Sequence, residues 1–204
     1  MLQPLQGFRE EWFPTSIWYF DDPQPQPSVQ QWLDWLKAER QRDEAGMSGR
    51  SNVLGWHSRD TLHEEPIFAG LVQRIRQGIG QVFADFGLDS TKIEPRLSNC
   101  WAIVNSQYCS NVVHVHGNSF WSGVYYLQTP PDCGNLFFLD PRPMVHMMSL
   151  PQTQPSRLTF SRITYAPRVG RMLLFPSWLQ HGVEPNLSQV DRICLSFNLA
   201  VRWL

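Results

Sequence analysis

The sequence has no C-x-x-C pair, no long apolar run, no surplus of either charge and no internal repeat. Each absence removes a class of function. Four cysteines, Cys100, Cys109, Cys133 and Cys194, without close pairing do not read as a structural zinc site. The opening MLQPLQGFREEWF has no basic stretch followed by an apolar one, so no secretory signal is expected. No apolar run approaches the roughly 18 residues that would suggest a membrane helix. A reducing cytoplasm with free thiols is therefore the expected location. Lys and Arg number 17 against 18 Asp and Glu, a net charge of −1, so neither nucleic acid nor an acidic membrane surface is an expected partner. Aromatics are abundant instead, with nine Trp and twelve Phe, as a large core or an aromatic-walled pocket would need. The 204 residues suffice for one domain with a sizeable core.

Residues 12–20 read as a short strand, and the proline-rich DDPQPQPS as a turn or extended linker. Ser28 is placed to cap a helix whose Val29, Trp32, Leu33 and Leu36 fall at helical spacing, with Gly46 at its end. Residues 47–62, MSGRSNVLGWHSRDTL, have no helical period and are expected as an irregular surface loop. Its Ser51, Asn52, Trp56, His57 and Ser58 are polar or aromatic groups that a site could also use. Pro66 suits the first turn of a second helix, whose stripe from Phe68 to Phe86 should lie on a sheet and whose end is marked by Gly87.

From Lys92 the pattern changes to short β-type runs at 93–105, 112–117, 120–128, 135–139, 158–166, 171–175 and 190–201. Many short strands with turn signals between them suggest a sandwich or barrel. The expected organisation is a single domain, 1–204, with residues 1–91 as a helical and loop support and 92–204 as the β core. Pro141 to Ser156 reads as a long loop. The last strand has an apolar face of Ile193, Leu195, Phe197 and Leu199, which the long helix could cover. Its polar face of Arg192, Cys194, Ser196 and Asn198 either lines a cavity or meets solvent.

In HVHGNSFWSGVYYL, His114 and His116 are two apart, so on a strand they share one face, and Asn118 joins them if the strand runs that far. Two imidazoles so placed can chelate one transition metal, or they are ordinary hydrogen-bonded histidines. Downstream, GRMLLFPSWLQHGVEPN delivers His181, and Arg192 follows eleven residues later.

This order resembles the 2-oxoglutarate and Fe(II)-dependent oxygenases, which carry an early H-x-D/E, a late His and an Arg about ten residues beyond it. Tyr125-Tyr126-Leu127 resembles a prolyl-hydroxylase strand, and Gly134-Asn135-Leu136-Phe137-Phe138 resembles a G-G-x-L-x-F strand. More narrowly, H-x-H, S-G-V-Y-Y-L, D-P-R, F-P-S-W-L-x-H and S-F-N resemble a family of 2-oxoglutarate oxygenases met mostly in bacterial and phage sequences, and SNVLGWHS is similar to a motif near its N-terminus. The resemblance covers roughly residues 12–201. It implies a mainly β fold with N-terminal helices, a double-stranded β-helix or jelly-roll barrel flanked by two helices. It implies Fe(II) and 2-oxoglutarate as cofactors, with ascorbate as reductant. Dioxygen and a small-molecule or peptidyl substrate would be the partners, and hydroxylation with release of succinate and CO2 the activity. His114 and His181 would hold iron, Arg192 the distal 2-oxoglutarate carboxylate, and Tyr126 and Ser122 would assist.

One position departs from the superfamily pattern: His116 stands where Asp or Glu is expected. Three arrangements are open. His116 binds and the site has three His, Asp140 of Asp140-Pro141-Arg142 supplies the carboxylate, or water fills the position. The first is the expectation carried forward. Asp140 is otherwise a turn residue, His146 a surface histidine, and His57 and His63 are expected to be peripheral. Two other classes remain: a three-His iron dioxygenase of the cupin kind without 2-oxoglutarate, which would need neither Arg192 nor Tyr126 as a clamp, and a non-catalytic jelly-roll binding protein without metal.

Overall fold

The computed structural model describes residues 7, 9–142, 147, 151–154 and 156–204. His146 and half of the Met- and Pro-rich loop 141–156 lie outside them. Two α-helices, two short 3-10 helices (Leu62–Glu64 and Pro66–Phe68) and eleven strands make up the regular structure among the described residues. Helix α1 spans Ser28–Arg42 and α2 spans Ala69–Phe86. The strands are β1 (Trp18–Asp21), β2 (Asn52–Val53), β3 (Trp56–His57), β4 (Ile93–Asn105), β5 (Ser110–His114), β6 (Trp121–Gln128), β7 (Leu136–Leu139), β8 (Arg162–Tyr165), β9 (Arg171–Pro176), β10 (His181–Val183) and β11 (Arg192–Trp203).

The strands form two sheets, with orders β1-β9-β6-β11-β4-β3 and β2-β5-β10-β7-β8. All the strand pairs are antiparallel. Their side chains build two cores. One lies between the helices and the outer face of the six-stranded sheet: Val29, Trp32 and Leu36 of α1 and Leu71, Ile75, Ile79 and Val82 of α2 pack with Leu174, Leu195, Phe197 and Leu199. The other lies between the sheets and contains Trp101, Val124, Tyr126, Phe138, Phe175 and Cys194. Strand β11 separates them, because successive side chains alternate between its faces. Leu195, Phe197 and Leu199 face the helices, while Arg192, Cys194, Ser196 and Asn198 line the cavity between the sheets.

Gly78 explains how closely α2 approaches. A Cβ there would lie 2.6 Å from Met172 Cε, so the cost of a glycine inside a helix is offset by tight seating on the sheet. The helix ends as its sequence suggests, with Gly87 left-handed at φ 62°. The start of α1 differs from expectation. Ser28 lies inside the helix, Pro27 occupies the cap and no side-chain capping bond forms. Strand β1 begins only at Trp18. The segment 47–62 is not irregular throughout: its two short strands join different sheets, β2 on β5 and β3 on β4. Both sheets therefore take strands from before residue 92.

Candidate metal and co-substrate site

Strand β10 is the short element that assembles the site. It pairs with β5 on one side and β7 on the other, and His181 stands directly across from His114. Strand β5 ends at His114, so His116 is not on the strand face expected for it. Its backbone N–H instead donates to Ser177 O at 2.9 Å, in the turn between β9 and β10. The ring still arrives beside the others. Ring centroids are 4.3 Å apart for His114–His181 and 5.0 Å for both His114–His116 and His116–His181. Asn118 is an exposed turn residue with φ 60°.

One ligand atom from each of the three histidines lies within 4.8 Å of the others. The orientation of each ring has a local cause. His114 Nδ1 meets Val112 O at 2.8 Å and His181 Nδ1 meets Leu179 O at 2.8 Å. A carbonyl oxygen only accepts, so both Nδ1 atoms carry the proton and both Nε2 lone pairs are free. His116 Nδ1 meets Asn198 Oδ1 at 2.5 Å, with Ser122 Oγ 3.0 Å away. Burial holds all three imidazoles below the ordinary histidine pKa, His116 at about 4 and His181 at about 3. The neutral form that burial favours is the form that ligates a metal.

The cavity beside the cluster has a volume of about 430 Å³. Its wall also carries Tyr126 and Arg192, which are 3% and 2% exposed. Arg192 Nη1 donates to Cys133 O at 3.0 Å and Gly134 O at 3.3 Å. Among the described residues no carboxylate forms an ion pair with it. A buried guanidinium with only dipolar partners is costly unless an anion joins it, and this one faces a cavity that could hold one. Burial pushes the Tyr126 hydroxyl upward, so it stays protonated and able to donate.

Ser122 is placed differently from expectation. It lies behind His116, fully buried, with its hydroxyl 2.7 Å from Asn198 Oδ1 and 2.8 Å from Ser177 Oγ. It is not on the cavity wall with Tyr126. Asp140 is not part of the histidine cluster. Its Oδ1 accepts from Arg142 Nε at 3.0 Å and its Oδ2 from Arg142 Nη2 at 2.6 Å. Sequence reasoning missed Ser177 and the bond from Asn198 to His116, although F-P-S-W and S-F-N were visible. His57, expected to be peripheral, lines the cavity, as does Ser51, one of the groups in 47–62 that a site could use.

Residues 99–198 match the model of the family described as "Putative 2OG-Fe(II) oxygenase". Every residue of the cluster, and Arg192 and Tyr126 with it, falls within the oxygenase match. The fold agrees. A Pseudomonas putida prolyl-4-hydroxylase superposes with a TM-score of 0.63 at 13% identity, over 91% of this chain and 92% of that one. HygX from Streptomyces hygroscopicus, with nickel and 2-oxoglutarate bound, gives 0.59 at 16%, over 91% and 82%. The α-ketoglutarate-dependent epimerase SnoN from nogalamycin biosynthesis gives 0.67 at 12%, over 93% and 79%. The architecture is thus the double-stranded β-helix of these oxygenases, flanked by two helices. A comparison with curated proteins found no match.

The family implies Fe(II) and 2-oxoglutarate. The residues present fit both groups. Three neutral imidazoles with their Nδ1 atoms tied back offer a facing set of nitrogen donors, the ligand type suited to iron among other first-row metals. The buried Arg192 suits a carboxylate. No helix among the described residues is long and apolar enough to cross a membrane.

Proposed function

We propose that the protein is an Fe(II)- and 2-oxoglutarate-dependent dioxygenase that hydroxylates its substrate. His114, His116 and His181 hold the iron, and Arg192, with Tyr126, holds the distal carboxylate of 2-oxoglutarate. When bound, these groups supply an oxidative decarboxylation: 2-oxoglutarate becomes succinate and CO2, one oxygen atom of O2 enters succinate and the other replaces a substrate C–H with C–OH. The chain's own residues do the positioning. Two backbone carbonyls and the Asn198 amide occupy the three Nδ1 atoms and so leave the Nε2 atoms free for a metal. The planar guanidinium gives the co-substrate both charge and direction. Phe175, Leu136 and Val183 add apolar surface to the cavity wall.

The observation that carries this reading is Arg192. It is a buried cation, without an acidic partner among the described residues, in the same cavity as the histidine cluster. A three-His dioxygenase that uses no 2-oxoglutarate has no need for such a clamp, and neither has a binding module without metal. The test is Fe(II)-dependent release of succinate from 2-oxoglutarate, with ascorbate present to keep the iron reduced. Slow release without added substrate is expected, because decarboxylation can run uncoupled from hydroxylation. Absence of 2-oxoglutarate binding at millimolar concentration overturns the assignment.

A further inference from the structure

Part of the cavity wall is made by Gly49, Arg50, Ser51, His57 and Asp60 of the segment 47–62. This segment crosses from one sheet to the other. Ser51 O accepts the backbone N–H of Val112 at 2.9 Å, and Asp60 O accepts that of Cys100 at 2.8 Å. Arg50 is thus anchored on the β5 side and Asp60 on the β4 side. Their side chains meet across the gap, Arg50 Nη2 to Asp60 Oδ2, at 3.0 Å. Both line the cavity and both keep some solvent contact, at 41% and 29% side-chain exposure. Behind them His57 stacks on Trp101, with centroids 5.5 Å apart and planes within 8°. Trp101 in turn lies 5.8 Å from His116. The wall therefore runs from a pair of opposite charges, along a flat aromatic face, to the histidine cluster.

We propose that Arg50 and Asp60 form the binding site for the head group of a free α-amino acid, whose side chain extends along Trp101 toward the cluster. This rests on the dioxygenase reading above, since it names the substrate of the same cavity. The charge arrangement selects the ligand. One cation and one anion side by side make a neutral pair, so a substrate with a single strong charge finds as much repulsion as attraction. A zwitterion satisfies both, its carboxylate on the Arg50 guanidinium and its ammonium on the Asp60 carboxylate. The existing bridge is partly solvated and so of modest strength, which lets a ligand insert between its partners at little cost. A neutral sugar or lipid would leave the pair closed, and an internal peptide segment carries neither charge of the head group.

The experiment is calorimetric titration of free L-leucine, L-proline, L-arginine and L-glutamate, each against its N-acetyl amide, into the Ni(II)-loaded full chain, with and without 2-oxoglutarate. At least one free amino acid is expected to bind, with its N-acetyl amide weaker by about tenfold or more. Arg50→Gln and Asp60→Asn should each weaken the free amino acid by a similar factor and abolish the preference over the blocked form. The proposal is overturned if blocked forms bind as well as free ones, which would indicate a peptide. It is also overturned if 2-oxoglutarate binds and no amino acid does. If an amino acid binds while 2-oxoglutarate does not, the head-group site stands and the dioxygenase reading falls.

Discussion

The amide oxygen of Asn198 lies 2.5 Å from Nδ1 of His116, in a cluster whose other two histidines are held by backbone carbonyls. His116 is thus the member whose orientation depends on side chains from other strands. Ser122 and Ser177 extend the same hydrogen-bonded group. Loss of this support should loosen the ring and release its tautomer. Asn198→Ala is expected to weaken metal binding by about 10–100-fold, while Asn198→Asp, which still accepts from Nδ1–H, should retain most of it. Competition titration with a coloured chelator checks both. Equal metal affinity in wild type and Asn198→Ala would show that the amide does not position His116.

Arg192→Ala should weaken 2-oxoglutarate by about 1.5–3 kcal/mol or more and leave metal affinity nearly unchanged, because the guanidinium is not a ligand. The variant also strands the carbonyls of Cys133 and Gly134, so its folding must be confirmed by circular dichroism. Equal loss of metal and co-substrate in a folded variant contradicts the clamp role.

Gly134 links stability to that clamp. Its φ is +81°, and a Cβ there would lie 2.3 Å from Glu184 O. Gly134→Ala therefore meets both an unfavourable backbone and fixed main-chain atoms, and a loss of more than about 1 kcal/mol is expected in urea unfolding. Since Gly134 O accepts from Arg192, 2-oxoglutarate affinity should fall as well. An unchanged unfolding midpoint would contradict the geometry.

How much was legible in the sequence depended on the range of the interactions. The two faces of β11 could be read because alternation is a property of one strand. Strand β10 could not, since three residues between Pro176 and Pro185 carry no periodicity and are held by partners far away in the chain. His116 was expected on β5 by parity. The turn at Gly117 and Asn118 ends the strand early, and the ring reaches the cluster through Ser177 instead. The segment 47–62 looked irregular because its strands are two residues each, bridging two sheets that only the tertiary fold brings together. Arg50 and Asp60 are ordinary surface charges until that bridge places them on the cavity.

Stability of the metal-free protein should depend on pH in a definite direction. Burial lowers His57, His114, His116 and His181 below the unfolded value of about 6.5. The unfolded chain then binds more protons than the folded one as pH drops below that value. The stability is fully present above pH ~6.5 and is lost as pH falls toward the His116 value of about 4. Urea midpoints of chelator-treated protein between neutral and mildly acidic pH should fall accordingly. A flat profile would mean that the rings are not buried neutral.

The central claim is that three histidines and Arg192 make one site for Fe(II) and 2-oxoglutarate. The most direct test is anaerobic titration of 2-oxoglutarate into the Fe(II)-loaded protein, read by its visible charge-transfer band, in wild type, His116→Ala, His116→Asp and Asp140→Ala. A saturable band is expected in wild type, near-normal binding in Asp140→Ala, substantial retention in His116→Asp and loss in His116→Ala. Three neutral ligands leave the iron at +2, which a dianionic co-substrate neutralises, whereas aspartate leaves +1. No band in wild type at millimolar 2-oxoglutarate, or a site emptied by Asp140→Ala and still loaded in His116→Ala, would contradict the account.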